Sequence, residues 1–277
     1  MGMETIERSE GMWWIAILTG AAALIAALYF FWPQAEPPAL PPTAAVAPAE
    51  PPAAPTPAPP AEPVIEHPVE AVKPPEAAPP LALDDSDGPV AAALGHLLGN
   101  ERLRQWFHVD AMVRRFVATV DNLSRPTVAL KVRSLRPVPG AFEVVRDGDA
   151  ITVSAGNAAR YATYVQALER VDAKQLAGVY LRFYPLFQQA YEELGYPKAY
   201  FNDRLVASID HLLAAPEPPA PLRLAQPKVL YEFADPELEA LSAGHKAMLR
   251  LGPDNARRVK AKLRALRAEI TASAPKP

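Results

Sequence analysis

Residues 12–32 read MWWIAILTGAAALIAALYFFW, an apolar run of 21 residues without a charge. As an α-helix it rises about 31 Å, against a hydrocarbon core of ~30 Å. Trp13 and Trp14 lie at one end, Tyr29 and Trp32 at the other. That is the placing of aromatic belts at two membrane interfaces. Pro33 then ends the helix. A signal peptide has an apolar stretch of only ~7–15 residues. The nearest Ala-x-Ala, Ala45 to Ala47, also lies well past the run. The sequence therefore predicts one membrane-spanning helix at 12–32, preceded by a short polar flank, 1–11. Arg8 is the flank's basic residue, and no Lys or Arg follows the run until Lys73. By the positive-inside rule the N-terminus is expected in the cytoplasm and the bulk of the chain in the periplasm, in a bacterial inner membrane. The bias is a single residue, so the inverted arrangement stays open.

Residues 33–83 contain 18 prolines and 14 alanines, with a net charge of −5. Such a segment has too few large apolar residues to offset the entropy of ordering it. It is expected to be a disordered, semi-rigid linker that lifts a domain off the bilayer. No basic residue flanks a repeated P-x-x-P unit, so a spacer is favoured over a groove ligand.

Residues 84–271 have core-sized apolar content, and 272–277 read as a disordered tail. From residue 84 on, the net charge is +4, too mild to predict a nucleic-acid partner. The expected fold is mainly α: a multi-helix globular domain with one small β-hairpin. Asp84 to Asp87 offer N-cap oxygens to a helix ending at Gly99. Val109, Met112, Val113, Phe116, Val120 and Leu123 share one helical face. Trp106 and Phe107 fall in a short connection before it. Asp147-Gly148 is the turn signal of a hairpin that places Phe142, Val144, Ile151 and Val153 on one face. Helices are expected from about Ala158 to Arg170 and then from an Asp172 cap, with a kink or restart at Pro185. The next begins at Asn202 or Asp203. Residues 228–234 read as a short strand or extended arm. Pro236 opens a helix through Leu251, and the last helix runs to about Ile270.

The runs RRFVATVDNL (114–123), YPLFQQAYEELGYP (184–197), FNDRL (201–205) and QPKVLYEFADPELEALSAG (226–244) resemble a bacterial family, domain of unknown function 3014. The resemblance covers roughly residues 84–270. It implies an N-terminal membrane segment and a Pro-rich stretch before the domain. It implies no activity and supplies no catalytic residue.

The chain has no cysteine, which excludes thiolate metal sites, iron–sulfur clusters and cysteine nucleophiles. It has no G-x-S-x-G, H-E-x-x-H, G-x-G-x-x-G or P-loop motif, so no cofactor and no metal is expected. Three sets of polar residues remain. Asp203, Asp210 and His211 share a helical face and are catalytic candidates for a metal or acid–base site. The bland reading is a solvated face with Asp203 as an N-terminal helix charge. Tyr184, Gln188, Glu192 and Tyr196, spaced by four, suit a sugar- or peptide-gripping groove, or plain helix packing. Arg114 and Arg115 pair with neighbouring acids or hold an anion. His96, His108, His211 and His245 show no i, i+4 pairing. Arg257, Arg258, Lys260, Lys262, Arg264 and Arg267 read as a solvated basic arc, or as a surface for anionic polymer or headgroups. The favoured function is a non-enzymatic interaction or scaffold module whose partner is an envelope protein or cell-wall polymer. The alternative is an envelope hydrolase using Asp, Glu or His.

Overall fold

The computed structural model describes residues 64–69 and 81–272. The apolar run 12–32, most of the linker and the tail beyond Ala272 lie outside the described residues. Among the described residues no helix is long and apolar enough to cross a membrane.

Among them are ten α-helices and one four-stranded sheet. The helices α1 (Asp87–Leu98), α2 (Asn100–Trp106) and α3 (Met112–Asn122) come first. The hairpin β1 (Val144–Asp147) and β2 (Ala150–Val153) follows. Next are α4 (Gly156–Arg170), α5 (Ala173–Arg182), α6 (Tyr184–Glu193) and α7 (Phe201–Leu213). The strands β3 (Arg223–Ala225) and β4 (Glu232–Phe233) lead into α8 (Pro236–Glu239), α9 (Ala243–Arg250) and α10 (Pro253–Ala272). The sheet order is β1-β2-β3-β4, antiparallel throughout.

The main core is built by α1, α3, α5, α6 and α7. Val113, Val117 and Val120 present the apolar stripe of α3 to Tyr180, Phe187, Phe201 and Val206. The aromatic rings meet edge-on or tilted: Phe116 and Phe187 centroids are 5.4 Å apart, Tyr180 and Phe187 5.3 Å. Such pairs add about 0.5–1.5 kcal/mol each beyond burial. Helix α10 closes the bundle against α4, α5 and α7. A second core lies under the sheet, where Val144, Ile151, Val153, Leu224, Phe233 and Leu249 meet.

Several elements differ from expectation, each for a local reason. The linker ends before Leu83, which is buried in the main core. Residues 64–69, within the stretch read as linker, also lie against the domain. Helix α2 occupies the stretch taken as a connection, burying Leu103 and Trp106. The hairpin turn is at Gly148-Asp149, one residue later, because Asp147 pairs with Ala150. The pairing register thereby slips by two residues, an even number, so Val144, Ile151 and Val153 keep their common face. The hairpin is widened to four strands by β3 and β4. The helix expected from Pro236 to Leu251 is two helices, because Ser242 caps a new start through His245 N. Asp235 caps the short first piece.

Pro185 causes a restart, falling in the first turn of α6 just after the break at Phe183. Gly195, with φ 114°, ends α6 in a conformation that only glycine adopts without strain. Asp87 does not cap its own helix. Its carboxylate accepts from Ala111 N and Met112 N, 2.7 Å each, and so caps α3 from 24 residues away.

Candidate functional site

The most informative polar cluster sits at the N-terminus of α7. Gln188, on α6, holds the chain that enters this helix. Its side-chain oxygen accepts from Phe201 N at 2.8 Å, and its amide nitrogen donates to Ala199 O at 2.9 Å. This fixes Tyr200, whose ring lies 5.6 Å from that of Tyr184. Asn202 is wholly buried. Its Oδ1 accepts the Tyr180 hydroxyl at 3.0 Å, which turns its Nδ2 outward. Burial raises the pKa of the Tyr180 and Tyr184 hydroxyls, so both stay protonated donors. Asp203 follows in the first turn, where the helix dipole favours a negative charge.

Against this surface lies the segment Val64–Val69. Glu66 N and His67 N donate to the two oxygens of Asp203, at 3.1 and 2.7 Å. Asn202 Nδ2 donates to His67 O at 2.9 Å. Val69 N donates to the Tyr200 hydroxyl at 2.6 Å, and Val69 packs on the main core. Pro68 falls between two donating residues and has no N–H to leave unpaired. Every one of these hydrogen bonds goes to backbone. Asp203, Asn202 and Tyr200 thus hold the backbone of a chain that bends at Glu66 and His67, with Pro68 and Val69 adding shape.

The energetics are nearly balanced. Two charge-assisted bonds contribute about 3–6 kcal/mol together and two neutral ones about 1–3. Burying Val69 adds at most about 1.5–3 kcal/mol. Ordering six backbone residues costs about 6–12 kcal/mol. Proline lowers that cost by restricting the free segment. The segment is thus held marginally and is open to exchange.

The three sequence-derived sets are redistributed. Of Asp203, Asp210 and His211, only Asp203 belongs to the groove. Asp210 is gripped by Arg267 at 2.6 and 2.9 Å. His211 stacks on His245 with centroids 4.0 Å apart and planes 9° apart, and its Nε2 meets Ser242 Oγ at 2.7 Å. His245 Nε2 donates to His211 O. Burial first and His245 second lower the pKa of His211. Among the described residues no group of three His, Asp or Glu side chains is arranged to hold a metal ion.

Tyr184 and Gln188 stand behind the groove, joined by a 3.2 Å hydrogen bond, and Gln188 also donates to Glu192. Tyr196 belongs elsewhere. It stacks on Tyr191, accepts from Arg125 and points its hydroxyl at Asp121. Arg114 bonds Glu193 and Asp84 at 3.0 and 2.7 Å, and Arg115 bonds Asp110 at 2.6 Å. Both arginines are committed to neighbouring acids. The basic arc of α10 is largely spent in the same way, so it is no open cationic face. Lys260 is buried, donating to Ala215 O and Glu217, and Lys262 donates to two carbonyls at the end of α4. Arg258 pairs with Glu169.

Sequence reading missed Tyr200, Asn202 and the segment 64–69. One signal was present. Val64, Ile65, Val69 and Val72 are four of the linker's five β-branched aliphatic residues, gathered in nine positions.

A second feature is a cavity of about 300 Å³ inside the bundle. It is bordered by α1, α3, α5, α6, α7 and α10, with an almost wholly apolar lining. It is partly open at the surface of the bundle.

The family model described as protein of unknown function (DUF3014) matches residues 112–267. That span runs from the start of α3 almost to the end of α10 and holds both the groove and most of the cavity lining. No curated protein matches the chain, and no solved structure does.

Proposed function

We propose that the chain, which belongs to the DUF3014 family of proteins of unknown function, acts as a non-enzymatic interaction module that captures a short bent peptide segment of an envelope protein. One observation carries this reading: residues 64–69 lie in the groove of Tyr200, Asn202 and Asp203, bound through their own backbone. A groove whose side chains meet backbone N–H and C=O groups accepts other segments of the same shape. The preferred partner segment is bent as at Glu66 and His67, with a proline followed by a small apolar residue.

The apolar run at 12–32 supports a membrane anchor, and the Pro-rich stretch after it supports a spacer that carries the groove toward its partner. The single-residue charge bias supports placing the domain in the periplasm. In this reading the segment 64–69 is an internal occupant that yields to the partner. The hydrolase reading has no comparable support, since Asp210 and His211 are engaged away from Asp203.

The test uses the whole chain in lipid nanodiscs with residues 64–69 replaced by Gly and Ser. A synthetic peptide of residues 62–72 should bind this variant saturably. It should bind the unreplaced chain at least an order of magnitude more weakly, because the groove is occupied. Adding Asp203→Ala to the replaced chain should abolish binding. Equal binding with and without Asp203→Ala, or none to the replaced chain, overturns the reading.

A further inference from the structure

The cavity in the helical bundle asks for a ligand of its own, remote in chemistry from the peptide groove. Its lining follows one whole face of α3, from Met112 through Phe116 and Val120 to Leu123. Eleven residues of helical rise make that about 16 Å. The length is about half the ~30 Å hydrocarbon core of a bilayer, which is the depth of one leaflet's chains.

Water is a poor occupant. A buried water needs two to four polar partners, and three of the four polar side chains in the lining are already engaged, while the fourth, His108, sits 4.0 Å from Asp110. Ser208 Oγ donates to Val120 O at 3.2 Å. Ser134 Oγ meets Thr119 Oγ1 at 3.2 Å, and the Tyr180 hydroxyl donates to Asn202. Among the described residues no buried side-chain nitrogen or oxygen is left without a partner. For comparison, an apolar cavity of half this volume stays dry and takes up benzene. Close packing is the rule in protein interiors, so a space this long and this dry is a binding site rather than a packing flaw.

We propose that the bundle cavity between α3, α5, α7 and α10 binds a single linear acyl chain, carried by a free fatty acid or by a phospholipid. Leu205 and Ile209 from α7 and Leu263 from α10 form the wall facing α3. Ala177 of α5 is buried and also lines the space, so its small side chain leaves room that a larger one would fill.

The test photolabels the whole chain in lipid nanodiscs with two probes: a diazirine-bearing dodecanoic acid, and a phosphatidylethanolamine whose acyl chain carries the same group. Labelled sites are mapped by mass spectrometry. The expected result is labelling within 107–123, 176–187, 205–212 or 263–270 by at least one probe, and which probe labels identifies the source of the chain. Excess unlabelled dodecanoate should reduce it by an order of magnitude, and Ala177→Phe should do the same while keeping a cooperative thermal transition. If that variant does not fold, Ala177→Leu takes its place, and the competition on the unaltered chain stands by itself. Labels confined to residues 12–32, or labelling that neither competitor nor substitution reduces, would overturn the proposal.

Discussion

Asp121 on α3 and Asp203 on α7 each accept hydrogen bonds on both carboxylate oxygens, but their donors differ in kind. Asp121 is buried and receives Arg204 at 3.1 Å and Arg125 at 2.9 Å, both carried by the body of the domain. Arg204 also donates to the Asp121 carbonyl. Asp203 receives two backbone N–H groups from residues 66 and 67, far from it in the chain. The first arrangement joins two helices of the domain and ties α3 to α7. The second joins a helix to a short segment without regular secondary structure. In the proposed reading, the first is architecture and the second is a docking site.

The comparison breaks most visibly at Asp121. Replacing it by Ala leaves the partly buried Arg204 facing a vacated pocket. Breaking a buried pair on one side costs about 3–5 kcal/mol, and the half-exposed Arg125 puts this case at the lower end. The midpoint of denaturant unfolding should fall accordingly, with an unchanged slope. Asp203→Ala should shift the same midpoint by less than about 1 kcal/mol, in the range of an exposed charge.

Gln188→Ala sharpens the contrast by touching both roles. It removes the acceptor of Phe201 N and the donor to Ala199 O. Leaving a buried N–H unpaired costs about 1–3 kcal/mol. Tyr200 loses its fixed position as well, so capture of the 62–72 peptide by the chain with residues 64–69 replaced should weaken together with stability.

The smallest effect is at the far end of α7. The pKa of His211 is lowered from its ordinary value by burial and by His245. The folded state therefore resists protonating it, and its stability is full above about 6.5, the unfolded value. Stability should decline as the pH falls below that value and through the lower folded one. Melting temperatures at pH 7.5 and 5.5 test this. His211→Gln should flatten the decline in that window, while the groove at the other end of the helix stays occupied.

How far the residues foretold this molecule depends on the range of each interaction. The stripe of α3 was legible because six apolar residues repeat at helical spacing. The break at Pro185 and the end at Gly99 were legible because proline and glycine act locally. Strand β4 falls within 228–234, the stretch read as a short strand or extended arm. Helix α2 was not legible, since seven residues with two buried anchors show no period. Strand β3 has three residues and exists by pairing with what precedes it. The stacking of His211 on His245 spans 34 positions, beyond any local spacing rule. For the groove, Tyr184, Gln188 and Asp203 were legible as polar residues on helical faces. Their union was not, because it needs a six-residue segment whose surroundings are almost all proline and alanine.

The central claim is that residues 64–69 are held by Asp203. Amide hydrogen exchange of the whole chain in nanodiscs tests it most directly. The account predicts measurable protection at Glu66, His67 and Val69, lost in Asp203→Ala, with the amides of α3 around Asp121 unchanged. Exchange at those three positions as fast as in a free peptide of the same sequence would contradict it.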